Sequence, residues 1–142
     1  MNLSEHFTLE ELTHTDHREL DNTPNDAEVA NLNRLASFLE EVKTVLGGKP
    51  VMINSAFRSK AVNDAVGSKD TSQHRLGCAA DLRIPGMTPD EVVQAIRASG
   101  IGYDQLIREF DRWTHISIPS VAGDKPRQQV LIIDKAGTRL YA

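Results

Sequence analysis

The chain has 142 residues, 39% hydrophobic and 25% charged, a composition that fits one globular unit able to bury a core. Its formal net charge of −4 argues against a nucleic-acid binder, because phosphate recognition wants a basic face. A single cysteine, Cys78, excludes an internal disulfide framework, and no window approaches the ~18 apolar residues of a membrane span.

The first residues, Met1 to His6, lack the basic start and apolar run of a signal peptide. Thr8-Leu9-Glu10-Glu11 has the spacing of a capping box and predicts a short helix. His14 to Asn22 is polar and without period, hence a loop. Thr23-Pro24-Asn25-Asp26 then signals a second start, with Pro24 suited to the first helical position. Val29, Leu32, Leu35, Ala36, Leu39, Val42 and Leu46 follow at helical spacing until Gly47-Gly48 and Pro50 stop the helix. Val51 to Ile53 reads as a short buried strand ending at Asn54-Ser55, and a short helix is expected around Ala61 to Val66.

Cys78 to Ile84 reads as a strand closed by Pro85-Gly86, and Thr88-Pro89-Asp90-Glu91 as a further capping box whose helix ends at Gly100. Tyr103 to Phe110 and Trp113 to Ile118 predict two strands joined by a tight turn at Asp111-Arg112. Gln129 to Ile133 and Thr138 to Tyr141, around Asp134-Lys135-Ala136-Gly137, predict a terminal hairpin. Helices come first and strands dominate later. The expected class is therefore α+β, a mainly antiparallel sheet flanked by helices, with residues 1–142 forming one domain.

Five histidines are present: His6, His14, His17, His74 and His115. The first three fall in polar segments and read as solvated. A catalytic zinc site takes three ligands from His, Asp and Glu and leaves a position for water. His74, Asp81 and His115 can supply that set from adjacent strands. The slim run Gly77-Cys78-Ala79-Ala80 between the first two reads as room for an ion and a substrate; Cys78 reads as packing and Trp113 as core.

The stretch "SQHRLGCAAD" resembles the S-x-H-x-x-G-x-A-x-D motif of the zinc D-Ala-D-Ala carboxypeptidase and dipeptidase family, which is related to hedgehog domains. "INSAFRS" is similar to the strand and turn that precede this motif, and "YDQLIREFDRWTHIS" to the downstream block with the third ligand. The opening "LSEHFTLEEL" and the closing hairpin look like short phage and prophage members, so the likeness covers nearly the whole chain.

The resemblance implies one zinc ion on His74, Asp81 and His115 in a hedgehog/DD-peptidase-like fold. It also implies an oxygen-binding role for Arg58, and for Ser72 and Gln73 the task of orienting His74 or a substrate amide. Better-known members carry an acidic residue three positions before the last histidine; here that position is Arg112. The base is then Glu109 or Asp111. A turn spanning Phe110-Asp111-Arg112 pairs Glu109 with Trp113 and puts it on the His115 face, whereas a two-residue turn puts it on the opposite face. Glu109 is the preferred candidate.

The implied function is metal-assisted hydrolysis of peptidoglycan stem peptides, at L-Ala-D-Glu or at terminal D-Ala-D-Ala. The competing reading is a non-catalytic zinc module for cell-wall binding or virion structure. A monomer is expected, with no nucleic-acid partner and no stable membrane association. It would reach the wall through a holin-like partner or in a phage particle.

Overall fold

Each main helix begins where a side chain takes over an unpaired backbone N–H. The structure, a computed structural model, describes residues 1–141. Helix α1 (Leu9–Leu12) starts at Thr8, whose hydroxyl accepts from Glu11 N while the Glu11 carboxylate accepts from Thr8 N. Helix α4 (Pro89–Ser99) repeats this box with Thr88 and Glu91, and Pro89 occupies the first turn.

Helix α2 (Asp26–Val45) departs from expectation at its start, since its box is Asn25 and Glu28. Thr23 is already engaged: Asp21 Oδ1 accepts from both its backbone N–H and its hydroxyl. Pro24 therefore precedes the cap rather than following it. Helix α3 (Lys60–Ala65) is capped by Ser59.

Six strands form one sheet: β1 (Met52–Ser55), β2 (Ala79–Arg83), β3 (Gln105–Glu109), β4 (Trp113–Ser117), β5 (Gln129–Asp134) and β6 (Gly137–Leu140). Their order is β1-β2-β4-β3-β5-β6. The class is α+β as expected, but the sheet is mixed, because β3 and β5 run parallel while the other neighbours are antiparallel.

The segment between β4 and β5 crosses the start of β3 instead of turning back as a hairpin. It is held there by Asp104, which accepts from Arg127 N, Nε and Nη2 and from Gln73 Nε2. Gln128 N adds a bond to Tyr103 O.

One sheet face carries the core. Ala80 and Leu82 of β2, Leu106 of β3 and Ile116 of β4 pack with Leu32, Leu35, Leu39 and Val42 of α2 and with Val92, Val93 and Ile96 of α4. The alternation of a strand then sends Asp81, Ile107, Glu109, Trp113 and His115 to the other face. That face is covered by α3, by a 3-10 helix (Gln73–Leu76) and by the turn at Ala56 to Ser59.

Candidate metal centre

Asp81 and His115 are direct cross-strand partners of β2 and β4, so their side chains rise side by side. His74 arrives separately, on the 3-10 helix, whose first N–H groups are met by Ser72 Oγ accepting from His74 N. His74 Nδ1 lies 2.6 Å from the carbonyl of Ala56, and Arg58 N donates back to His74 O at 3.0 Å. The carbonyl demands a hydrogen on Nδ1, which leaves Nε2 as the bare nitrogen. Nε2 faces Asp81 Oδ2 at 3.3 Å, while Asp81 Oδ1 lies 3.0 Å from His115 Nδ1. One donor atom from each of the three residues lies within 4.8 Å of the others.

Burial pushes the Asp81 carboxyl upward, but the two imidazoles beside it outweigh that push and hold it ionised, well below the usual range. Burial depresses His74 and keeps its ring neutral, against the opposing pull of Asp81. An ionised carboxylate beside a neutral His74 ring suits a divalent cation, which binds deprotonated ligands. Two nitrogens and an oxygen in a tight, buried cluster are a donor set that fits zinc.

Arg58 Nη2 donates to Asp81 Oδ2 at 3.1 Å and its Nε donates to Ser55 Oγ at 3.1 Å. The turn that carries Arg58 is set by Asn22, which donates to Thr13 O and Phe57 O and accepts from Ser59 N. Gln73, expected to orient His74 or a substrate amide, bonds within the chain. Its Nε2 is shared among Asp104, Ile118 O and Ser120 Oγ, so it ties the His74 turn to the crossover before β5.

Glu109 and Trp113 are paired in register, with Phe110-Asp111-Arg112 forming the three-residue turn between them. Glu109 therefore stands on the metal-ligand face, with Oε1 3.9 Å from His115 Nδ1. Burial, then the charge of Asp81, raises its carboxyl above the ordinary value. Asp111 goes elsewhere. It pairs with Arg108 Nε at 2.8 Å, and Arg108 lies on the opposite face, where it also pairs with Asp90 of α4.

Trp113, read from the sequence as core, is half-buried and donates its indole N–H to Glu109 Oε2 at 3.0 Å. A tryptophan opposite a glutamate across a three-residue turn was the available signal. Asn22 and the Ala56 carbonyl left no comparable trace. The slim residues also have another use than expected. Cys78 and Ala80 pack in the helix-side core, and a Cβ on Gly77 would meet Glu28 O and Leu32 Cγ of α2 at 3.0 Å. They let α2 approach; of the small residues Ala79 alone shares the Asp81 face. His6 and His14 are exposed and His17 is half-buried; they lie beside Glu40, Asp16 and Glu19.

Two cavities open from Arg58. One of about 770 Å3 includes Glu109, Phe110, Trp113 and Lys69. The other, about 140 Å3, is lined by His14, His17, Asn54 and Ser55. A buried His–Asp–His cluster on a sheet face, with a carboxylate beside it and an open cleft in front, can hold a divalent cation next to a proton acceptor.

The chain belongs to the Peptidase M15 family, whose model matches residues 5–117. It is similar to the zinc D-Ala-D-Ala carboxypeptidase of Streptomyces albus G, at 34% identity over 76 residues. That match covers 52% of this chain and 30% of the relative, so the chain spans under a third of that protein's length. Among the described residues, no helix is long and apolar enough to cross a membrane.

Proposed function

We propose that the chain hydrolyses peptide bonds in peptidoglycan stem peptides, holding one zinc ion on His74, Asp81 and His115. The observation that carries this reading is Glu109, a partly buried carboxylate 3.9 Å from His115 Nδ1 on the same sheet face. When bound, zinc makes water acidic, with a pKa of about 7, and polarises a carbonyl. Glu109 takes a proton from the attacking water and passes it to the leaving amine. Its raised carboxyl pKa suits the second half of that transfer, because it holds a proton more readily than an ordinary glutamate.

Arg58 steadies the oxyanion that forms as the carbonyl is attacked; its permanent charge and planar fork suit an oxygen ligand. Ser72 and Gln73 hold the His74 turn in place. Arg112 at the family's usual acidic position does not silence the site in this reading, since β3 supplies the carboxylate from the facing strand.

The cleft continues on both sides of Arg58, which favours an internal bond such as L-Ala-D-Glu. Similarity to a zinc D-Ala-D-Ala carboxypeptidase favours the second reading, removal of a terminal D-Ala. All the named groups come from one chain, so a monomer suffices. A lytic role on the wall, after holin-like release or carriage in a phage particle, belongs to the same proposal.

The test is digestion of purified peptidoglycan with and without a chelator, followed by mass analysis of the fragments. New amino termini at D-Glu support the endopeptidase and released D-Ala supports the carboxypeptidase. No product at any zinc concentration overturns the proposal.

A further inference from the structure

The cleft does not end at Glu109. The larger cavity beside Arg58 shares Phe110 and Trp113 with a further one of about 580 Å3, which runs to the β5–β6 turn at Asp134-Lys135-Ala136. Each is the size of a whole small-ligand site, generally about 300–1,000 Å3.

Its charges are distributed unevenly. Beyond Glu109, the acidic groups along it are paired within the chain: Asp111 with Arg108, which also meets Asp90, and Asp134 with both terminal nitrogens of Arg139 at 2.8 Å. Asp70, next to Lys69, faces Lys60 at 3.5 Å. Among the described residues, no carboxylate lies within ion-pair distance of Lys69, Arg112 or Lys135. A chain of net charge −4 thus turns three uncompensated cations toward one groove.

The apolar part is equally specific. Phe110 and Asp111 both take φ +53°, a left-handed conformation that is a genuine outlier for phenylalanine. The turn is nonetheless fixed by Phe110 N donating to Ile133 O and by Arg112 N donating to Glu109 O. Its effect is to present the Phe110 ring to solvent, 46% exposed, with its centroid 5.9 Å from that of Trp113. Strain retained at a cleft mouth is a mark of a functional surface.

We propose that this groove binds an acidic peptide segment, the part of the substrate lying beyond the scissile bond on the Glu109 side. Its aliphatic portions lie on Phe110 and Trp113 and its carboxylates meet Lys69, Arg112 and Lys135. The inference rests on the peptidase reading for its place in the reaction, but the binding it asserts can be measured without turnover.

Trp113 is the sole tryptophan and lines both cavities, so its fluorescence reports occupancy directly. The probes are acetyl-(D-Glu)3-amide and its D-Gln counterpart, which lack an Ala–D-Glu bond, titrated into the zinc-loaded protein. The acidic peptide is expected to bind about tenfold more tightly, through several exposed pairs, and to weaken as salt is added. Lys69→Glu combined with Lys135→Glu is expected to erase the preference while zinc content and thermal unfolding stay as in the parent.

Equal affinity for the two peptides, no change in emission, or a preference that survives charge reversal overturns the proposal. Polyphosphate bound as tightly as the acidic peptide also overturns it, by assigning the groove to phosphate polymers. If peptidoglycan is never cut but the acidic preference is found, the peptidase reading fails and the groove stands. If cutting is found without the preference, the reverse holds.

Discussion

Replacing Trp113 with phenylalanine removes one hydrogen bond while keeping a ring against Phe110. The lost bond runs from the indole N–H to Glu109 Oε2, 3.0 Å long. Hydrogen bonds to charged groups are worth about 1.5–3 kcal/mol. The Glu109 side chain is 17% exposed, so water replaces part of the loss and the lower half of that range applies. At about 1.4 kcal/mol per factor of ten, Trp113→Phe should lower kcat by roughly ten- to thirtyfold.

The bond holds the Glu109 carboxylate rather than the substrate, so KM should move by no more than about threefold. The indole also opposes the upward push of burial on Glu109, so the acidic limb of the kcat–pH profile should move to higher pH. Steady-state kinetics across pH, with zinc content measured on the same samples, checks all three expectations. An unchanged kcat with an unmoved acidic limb, or a loss of zinc matching the loss of rate, refutes the argument.

Glu109→Gln should retain zinc and lose about a thousandfold in rate, the usual weight of a general base, whereas Asp111→Asn should cut almost normally. A dead Asp111→Asn beside an active Glu109→Gln would reverse the assignment, and metal analysis with a peptide-release assay decides it. Gly77→Ala should destabilise the fold by about 1–3 kcal/mol, since the residue has φ +77° and its new methyl meets Glu28 O and Leu32 Cγ at 3.0 Å. Because Gly77 ends the His74 turn, zinc affinity should fall as well; thermal melts and a zinc titration test both.

Arg127 holds the Asp104 carboxyl below its ordinary value, chiefly through hydrogen bonds. That stabilisation is complete above the ordinary carboxylate pKa of about 3.9 and is lost as pH falls through the lower folded-state value. Arg127→Ala should therefore cost about 1 kcal/mol at pH 7, with the cation's exposure discounted, and the gap to the parent should narrow below about pH 4. A gap constant between pH 7 and pH 3 in thermal melts refutes the linkage.

The three residues of the cluster could be picked out in the sequence chiefly through the resemblance of "SQHRLGCAAD" and its downstream block to a zinc peptidase motif, since spacing alone only suggested them. Asp81 and His115 fall together where the alternation of β2 and β4 sends them, and the 3-10 helix brings His74 to them. The boxes at Thr8 and Thr88 were legible because a cap is a contact over three residues. Contacts between distant segments were not. Nothing local tells that the segment after Ile118 crosses β3 and makes β5 parallel to it, because a strand's pattern records which face is buried and not the direction of its neighbour.

The same limit explains Gly77, Cys78 and Ala80. Their smallness was visible, but whether it served an ion or a helix depended on where α2 would lie. The side of Glu109 hinged on the length of one turn, and the left-handed pair Phe110-Asp111 has no glycine to announce it.

Asp81 and His115 are neighbours in a hydrogen-bonded ladder, and His74 is pinned by a backbone carbonyl. Such a pocket is assembled by the same pairings that build the sheet, so folding need not wait for the ion, unlike small domains that are unstructured until metal arrives. On the proposed reading, stripping zinc should therefore leave the chain folded and able to take the ion up again.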